Sequence, residues 1–172
     1  MTKPTLHLAN DYGFSRSLTA GPLHDRVTAL EDLGAVVREP FAAADGTEPD
    51  SPQWAWRIGR ADVNAVPQAD GVFAVVNGRS PDEGVMVEVG LAIAWRKPVS
   101  FFRGDVRRCS DSEGYPLNLM LFAGYGAEDW RHCWYESLED PGDPDRALVR
   151  WLAGDAVRLV ALEPGVATAG DG

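Results

Sequence analysis

The chain has 172 residues, 45% of them hydrophobic and 24% charged, and a net charge of −10 at pH 7. This length and composition predict one compact globular domain and exclude disordered and fibrous architectures. The negative charge argues against nucleic-acid polymers and anionic membranes as partners. The longest apolar stretch, residues 85–95, is too short to span a bilayer, and residues 1–8 lack the apolar core of a signal peptide, so we expect a cytoplasmic protein.

Short apolar runs alternate along the chain with segments whose apolar residues recur at helical spacing. The runs predict strands at residues 5–9, 36–37, 71–76 and 99–102. The periodic segments predict helices at residues 22–33, 54–66, 85–95 and 144–152. The expected fold is therefore α/β: a single-domain three-layer αβα sandwich around a flavodoxin-like or Rossmann-like parallel sheet of five strands.

Two segments are expected to lie outside this regular framework. Residues 42–52 are polar and rich in Gly and Pro, so they predict a long loop that could serve as a lid. Residues 164–172 are expected to form a flexible tail, which ends the domain at residue 163. Ligands of such a fold bind beyond the carboxyl ends of the strands.

The sequence contains none of the common cofactor-binding and hydrolase motifs. The chain lacks GxGxxG after a strand, GxxxxGK[ST], GxSxG and HExxH, which argues against dinucleotide enzymes, P-loop proteins, α/β-hydrolases and zinc proteases. His7, His24 and His132 lie far apart, and Cys109 and Cys133 form no CxxC pair. We expect neither a metal site nor a cofactor.

Three acids between residues 62 and 90 require an explanation. Glu88 lies among apolar residues and glycines in VMVEVGLAIAW, so on a helix packed against a sheet it should be largely buried. Buried carboxylates are either paired structural groups or site residues. Asp62 is likewise either a surface acid or a ligand contact. Gly90 is expected to let the helix approach the sheet closely.

Asp82 depends on where that helix begins. If Ser80 is the N-cap, with Pro81 following, Asp82 and Glu88 lie on one helix about 240° apart and cannot share a face. If the helix begins nearer Gly84, Asp82 lies in the loop and can converge with Glu88 on one ligand. Gly84 would then let a substrate approach the start of the helix.

Six short motifs follow one another along the chain. Each is a weak signal alone, but their order makes the set specific. They are LHLANDYGF at residues 6–14, DVN at 62–64, ADGVFAVV at 69–76, DxGxxxExGxA at 82–92, KPV at 97–99 and PLNLML at 116–121. As a set they resemble the nucleoside 2-deoxyribosyltransferase family, over nearly the whole chain up to about residue 150.

The resemblance implies an enzyme of nucleoside salvage that moves 2-deoxyribose from a 2′-deoxyribonucleoside to a free nucleobase. It implies that Glu88 is the nucleophile, forming a covalent deoxyribosyl ester with retention of configuration, and that Asp62 and Asp82 are the accompanying catalytic acids. It also implies a homo-oligomer, a dimer or a dimer-based hexamer, in which Asn118, with Met120 beside it, completes the neighbouring subunit's pocket. Further expected substrate contacts are His7, Tyr12, Phe14 and Gly84, with Trp54 as another candidate wall for the base.

The chain departs from the family in one position and leaves two other functions open. His7 stands where the family commonly has a tyrosine that positions the nucleophile. An N-glycosidase that releases free base is one alternative, in which residues 15–17 (SRS) would grip a 5′-phosphate. A non-catalytic nucleotide-binding module is the other. Asp82 and Asn118 are both retained, which by the resemblance favours transfer on a nucleoside.

Overall fold

The computed structural model describes residues 2–40, 53–106, 114–137 and 139–157. The expected lid at residues 42–52, the expected tail at 164–172 and Cys109 lie outside these ranges. The strands are β1 (Thr5–Ala9), β2 (Val36–Arg38), β3 (Gly71–Val75), β4 (Val99–Phe102) and β5 (Trp134–Tyr135). The main helices are α1 (His24–Asp32), α2 (Trp54–Gln68), α3 (Glu83–Ala94) and α4 (Ala147–Leu152).

The strands form one parallel sheet in the order β2-β1-β3-β4-β5. His7 on β1 is level with Arg38 on β2 and with Val72 on β3. This is the flavodoxin-like strand order, in which the direction of winding reverses between β1 and β3. The predicted α/β fold with a parallel five-stranded sheet is confirmed.

Helices cover both faces of the sheet. On one face, α3 packs Val85, Val89 and Ala92 against strand residues of β1, β3 and β4. On the other face, Leu30 of α1 packs against Leu6 and Leu8. Because side chains alternate along a strand, His7 lies on the α3 side of β1, between Leu6 and Leu8 on the α1 side.

Several boundaries differ from the predictions for local reasons. The predicted helix at 22–33 is α-helical only from His24, because Thr19–Leu23 forms a π-helical turn that contains Pro22. The helix predicted to end near Pro67 continues for one residue beyond it, to Gln68. The helix predicted at 144–152 begins only at Ala147.

Short 3₁₀-helices connect the remaining elements, at Tyr12–Phe14, Leu119–Phe122, Asp129–Cys133 and Asp140–Gly142. A single helical turn, Arg16–Leu18, follows the first of them. No helix in the described ranges is both long and apolar enough to cross a bilayer.

Candidate active site

Polar side chains collect at the edge of the sheet where the parallel strands end. Asn10 and Asp11 follow β1, Glu39 follows β2, and Asn77 lies just beyond β3. The winding reversal between β1 and β3 opens a crevice at this edge, and ligands of doubly wound sheets bind in that crevice.

A buried pair of side chains, His7 and Glu88, forms the centre of the site. Glu88 lies in the second turn of α3 and is 8% exposed, while His7 is 1% exposed. The His7 Nε2 and Glu88 Oε1 atoms are 2.8 Å apart. Since an ionised carboxylate only accepts hydrogen bonds, Nε2 carries the proton and donates. The predicted burial of Glu88 is confirmed, and its Oε1 atom is held by one short hydrogen bond.

The other ring nitrogen of His7 has no such bond. Nδ1 is buried and has no hydrogen-bond partner among the described residues. A buried donor or acceptor that is left unsatisfied costs about 1–3 kcal/mol. The hydrogen bond to Glu88 therefore assigns a proton to Nε2, and Nδ1 is the unsatisfied atom of the ring.

Asp62 reaches the same cluster from α2. The inward stripe of α2 consists of Ile58, Asp62, Ala65 and Val66, while most of the helix is exposed. Burial raises the pKa of the Asp62 carboxyl above its usual 3.8, the negative charges of Glu88 and Glu39 raise it further, and His7 acts in the opposite direction. A carboxyl in this environment favours its protonated form more than an ordinary aspartate does.

Asp82 lies at the mouth of the site as the N-cap of α3. Its Oδ1 accepts hydrogen bonds from the backbone N–H groups of Gly84, at 2.9 Å, and Val85, at 3.2 Å. The alternative in which Ser80 caps the helix is wrong, because α3 begins at Glu83. A Cβ on Gly84 would lie 3.0 Å from Asp82 Oδ1, so glycine lets the carboxylate fold back over the helix start.

Asp11 faces the same mouth from the end of β1. Burial raises the pKa of its carboxyl above the usual 3.8, and the charge of Asp82 adds to that rise against the effect of the residue's own N–H. Two carboxylates thus act on each other at the opening, beyond the buried pair of His7 and Glu88.

Asn77 ties together the loops that follow β1, β3 and β4. Its Nδ2 donates to the Tyr12 hydroxyl at 3.1 Å, and its Oδ1 accepts from the Gly104 N–H at 2.9 Å. The Arg103 guanidinium donates to the carbonyls of Val76 and Gly78, 2.5 and 2.8 Å away. These bonds fix the β3–α3 loop, and with it the position of Asp82.

The expected aromatic contacts divide into three cases. The Tyr12 ring is buried in the cluster on the α1 side of the sheet, and only its hydroxyl reaches the strand ends. Trp54 is half-exposed and begins the α2 stripe that continues through Ile58 to Asp62. The side chain of Phe14 lies outside the described part of the structure.

Asn118 and Met120 lie on the opposite side of α3 from Glu88. An open groove runs between α3 and residues 117–123, lined by residues that include Met86, Gly90, Ile93, Asn118 and Met120. The α3 members of that lining are about 120 to 160° around the helix from Glu88. Asn118 therefore does not approach the Glu88 of its own chain.

Gly90 corrects one expectation from the sequence. It is exposed in the groove rather than pressed against the sheet, and a Cβ there would meet nothing within 4 Å. The close approach of α3 to the sheet is achieved instead by the small buried side chain of Ala92, together with Val85 and Val89.

Sequence reasoning thus identified three of the clustered side chains, His7, Asp62 and Glu88, and missed Glu39 and Asp11. Glu39 directly follows β2, and Asp11 lies two residues beyond the end of β1. A polar residue close to the end of a predicted strand was the local signal for both. Within the described ranges, no group of three or more His, Cys, Asp or Glu side chains could hold a metal ion.

Comparison with solved structures supports the fold. A 2-deoxyribosyltransferase from Bacillus psychrosaccharolyticus matches with a TM-score of 0.64 and 23% identity, over 84% of this chain and 95% of that one. A 2-desoxiribosyltransferase from Leishmania mexicana matches with a TM-score of 0.62 and 19% identity, over 89% and 99%. A conserved protein from Enterococcus faecalis V583 matches with a TM-score of 0.64 and 20% identity, over 88% and 98%.

A search of curated protein sequences finds no match. A family model described as nucleoside 2-deoxyribosyltransferase, by contrast, matches residues 6–120. That range spans β1 to the turn after Asn118 and so includes the His7–Glu88 pair together with Asp62 and Asp82. The chain belongs to the nucleoside 2-deoxyribosyltransferase family.

Proposed function

We propose that the protein transfers 2-deoxyribose from a 2′-deoxyribonucleoside to a free nucleobase through a covalent ester on Glu88, with net retention of configuration. The observation that carries the proposal is the buried Glu88 carboxylate, held through Oε1 by His7 and accompanied by Asp62. A nucleophilic carboxylate and a second acid are the two groups that retaining glycosidic chemistry requires.

In the first step, Glu88 Oε2 attacks C1′ of the donor. The C1′–N bond breaks, its electron pair goes to the departing base, and the base takes the proton of Asp62. Oε1 becomes the carbonyl oxygen of the ester and keeps its hydrogen bond from His7. Acid catalysis of base departure contributes about 10²–10⁴-fold, because an unprotonated nucleobase is a poor leaving group.

The second step is the reverse with another base. A nitrogen of the acceptor attacks C1′, the ester bond breaks, and its electron pair returns to Glu88. The proton of the acceptor nitrogen goes to Asp62, which is thereby ready for another donor. Two inversions at C1′ give net retention.

The walls of the site suggest how substrate is held. The stripe of Trp54 and Ile58 above Asp62 provides an apolar surface for the base that Asp62 protonates. Asp82 uses Oδ1 as a helix cap, and its Oδ2 is the oxygen that would accept hydrogen bonds from sugar hydroxyls. The carboxylates of Asp11 and Asp82 at the mouth favour an uncharged sugar over a 5′-phosphate.

A second candidate is an N-glycosidase acting on a 5′-nucleotide. The hydroxyls of Ser15 and Ser17 are exposed and 3.0 Å apart, as two donors to one phosphate would be. The side chain of Arg16 between them is outside the described part of the structure. We rank this activity second because the carboxylates of Asp11 and Asp82 at the mouth would repel the phosphate.

We further propose a homo-oligomer, a dimer or a dimer-based hexamer, in which a second copy covers the groove beside α3. Asn118 lies across α3 from its own Glu88 and fits the expectation that it serves a neighbouring subunit. Met120 is 78% exposed, although methionine is among the residue types that are most often buried. Met120→Glu should dissociate the oligomer in sedimentation velocity and lower the activity, while Glu128→Gln, at an exposed acid outside the groove, should change neither.

We place the proposed transferase in cytoplasmic nucleoside salvage. One incubation distinguishes it from the other candidate activities. A deoxynucleoside is mixed with the protein, with and without a free acceptor base. A transferase forms a new nucleoside only with the acceptor, a glycosidase releases base without it, and a binding module does neither. A β-configured product, read by NMR coupling constants, supports retention.

A donor that reacts slowly tests directly whether Glu88 is the nucleophile. In a 2′-fluoro-arabinonucleoside, the fluorine destabilises the transition states of both steps, and a good leaving base keeps the first step fast enough for the ester to accumulate. The intact mass should rise by one fluorinated sugar, and peptide mapping should locate it on Glu88. Glu88→Gln should give no adduct, whereas Glu83→Gln, on the exposed first turn of the same helix, should react normally. An adduct on any other residue contradicts the proposal.

A further inference from the structure

The hydroxyl of Tyr12 lies at the crevice between β1 and β3, although its ring is buried. Tyr12 is 7% exposed, and its ring belongs to the cluster on the α1 side of the sheet. Its hydroxyl oxygen is 3.1 Å from Nδ2 of Asn77, just beyond the end of β3. Since ligands of doubly wound sheets bind in this crevice, the hydroxyl is the part of Tyr12 that a substrate can contact.

The orientation of the Asn77 amide decides the direction of its hydrogen bond to Tyr12. Asn77 Oδ1 is 2.9 Å from the backbone nitrogen of Gly104, which can only donate. The amide oxygen therefore faces Gly104, and the amide nitrogen faces Tyr12. Because an amide nitrogen only donates, the Tyr12 oxygen accepts this bond, and the phenol proton points away from Asn77.

The cation beside the phenol is also a donor. Arg26 of α1 is 4% exposed, and its guanidinium carbon lies 3.4 Å from the centre of the Phe102 ring. This buried guanidinium acts on the Tyr12 hydroxyl by its charge and by a hydrogen bond, and it cannot accept a proton from it. Asp11 acts on the hydroxyl through its charge alone. Burial raises the pKa of the Tyr12 hydroxyl above its usual 10, against the effect of Arg26, so the phenol keeps its proton at neutral pH.

We propose that Asn77 is a positioning residue that acts through Tyr12: by donating to the phenol oxygen, it directs the phenol proton into the crevice, towards a hydroxyl oxygen of the 2-deoxyribose. This inference rests on the proposed transferase function. The other proposed sugar contact, Asp82 Oδ2, only accepts hydrogen bonds. A sugar hydroxyl both donates and accepts, so the sugar can use a donor and an acceptor at the mouth together.

The first test removes the phenol oxygen. Tyr12→Phe keeps the buried ring, so the KM for a deoxynucleoside donor should rise roughly 3- to 10-fold with little change in kcat, as for the loss of one hydrogen bond to bound substrate. Donors that lack either the 3′ or the 5′ hydroxyl identify the contact. The rise in KM should disappear for the donor without the oxygen that Tyr12 contacts. A rise that persists with both of these donors overturns the inference, and so does the absence of a rise with the complete donor.

The second test reverses the bond from Asn77. In Asn77→Asp, one carboxylate oxygen still accepts from the Gly104 N–H, and the other accepts the phenol proton, which then no longer points into the crevice. The KM should rise by about the same factor as in Tyr12→Phe, and Asn77→Asp should add nothing further in a Tyr12→Phe background. Gln68→Glu adds the same charge at an exposed amide, the last residue of α2, and should change neither KM nor kcat.

The double variant separates positioning from charge and from folding. An effect of Asn77→Asp that persists without the Tyr12 hydroxyl would come from the new charge and would overturn the role of Asn77. Asn77→Ala, which removes the bond without reversing it, is the second variant if the aspartate fails to fold. Its effect on KM should likewise require the Tyr12 hydroxyl.

A binding measurement keeps the inference independent of turnover. Glu88→Gln lacks the proposed nucleophile, so a deoxynucleoside stays intact and its Kd is measured by calorimetry. Adding Tyr12→Phe or Asn77→Asp should weaken binding roughly 3- to 10-fold, and only for donors that carry the contacted hydroxyl. Equal Kd values with and without the Tyr12 hydroxyl refute the inference. Lack of any new nucleoside with the wild type, with the Kd ratio as expected, refutes the transferase and leaves the sugar contact intact.

Discussion

Replacing His7 with Phe removes the hydrogen bond that holds Glu88. A hydrogen bond to a charged group stabilises the fold by about 1.5–3 kcal/mol, and this one is 2.8 Å long and buried. The same change removes the buried Nδ1 that has no partner in the described structure, which raises the free energy of unfolding by about 1 kcal/mol. The net loss should be about 0.5–2 kcal/mol, or roughly 1–8 °C in Tm for a chain of this length.

The control is His7→Gln, whose amide can donate to Glu88 without burying a ring nitrogen. Thermal unfolding of both variants at pH 7 gives the stability difference, and the rate of adduct formation with the fluoro-sugar donor gives the effect on Glu88. His7→Phe should be less stable than His7→Gln and should form the adduct about 10-fold or more slowly, since 1.4 kcal/mol is a factor of ten. Equal stability and equal adduct rates for the two variants would show that the hydrogen bond contributes nothing.

Three further changes test other parts of the structure. Asp62→Asn should raise the Tm by about 2 °C at pH 7 and leave it unchanged at pH 3. Folding raises the pKa of Asp62, so the wild type loses stability as the pH rises through the pKa of the folded state, and asparagine does not ionise. Thermal scans at the two pH values check this. Asp82→Ala should lower the free energy of unfolding by about 1 kcal/mol in denaturant titrations, and Asp82→Ser by less because it keeps a capping oxygen. Burial raises the pKa of Cys133 to about 12, so iodoacetamide at pH 8 should label it only after denaturation, as peptide mapping would reveal; labelling of the folded protein contradicts the assignment.

Elements that depend on local pattern were predictable from the sequence. The run GVFAVV predicted a buried parallel strand, and all five residues of Gly71–Val75 are buried. The apolar segments at residues 5–9 and 99–102 became β1 and β4 with the predicted bounds. In each case most residues of the strand are apolar, because both faces of a parallel sheet are buried. His7 of β1 and Ser100 of β4 are the buried polar exceptions.

The start of α3 was not predictable in the same way. The sequence alone left open whether the helix begins after a Ser80 cap or nearer Gly84, with Asp82 in the loop. The loop before α3 is held by Arg103, which directly follows β4 and is distant in sequence. The choice of cap therefore depended on tertiary contacts.

Glu39 is the clearest case of information that lies outside any motif. It comes to the site because β2 is adjacent to β1, where Asn10 donates to its Oε1 at 3.3 Å. Strand order is a property of the whole sheet, and nothing in residues 36–40 encodes it. Glu88 was recognisable because it lies among apolar residues of one helix. Asp62 was left open by its own surroundings and was identified only through the resemblance of the motif set.

Helix α3 carries the proposed nucleophile on one side and the open groove on the other. A substitution that moves α3 on the sugar-binding side also moves the groove that we propose a second copy covers. Directed evolution of new substrate ranges is therefore restricted on this helix. The inward stripe of α2 faces the proposed site only, and the rest of that helix is mostly exposed. Trp54 and Ile58 are therefore the positions at which libraries for unnatural nucleobases are best built.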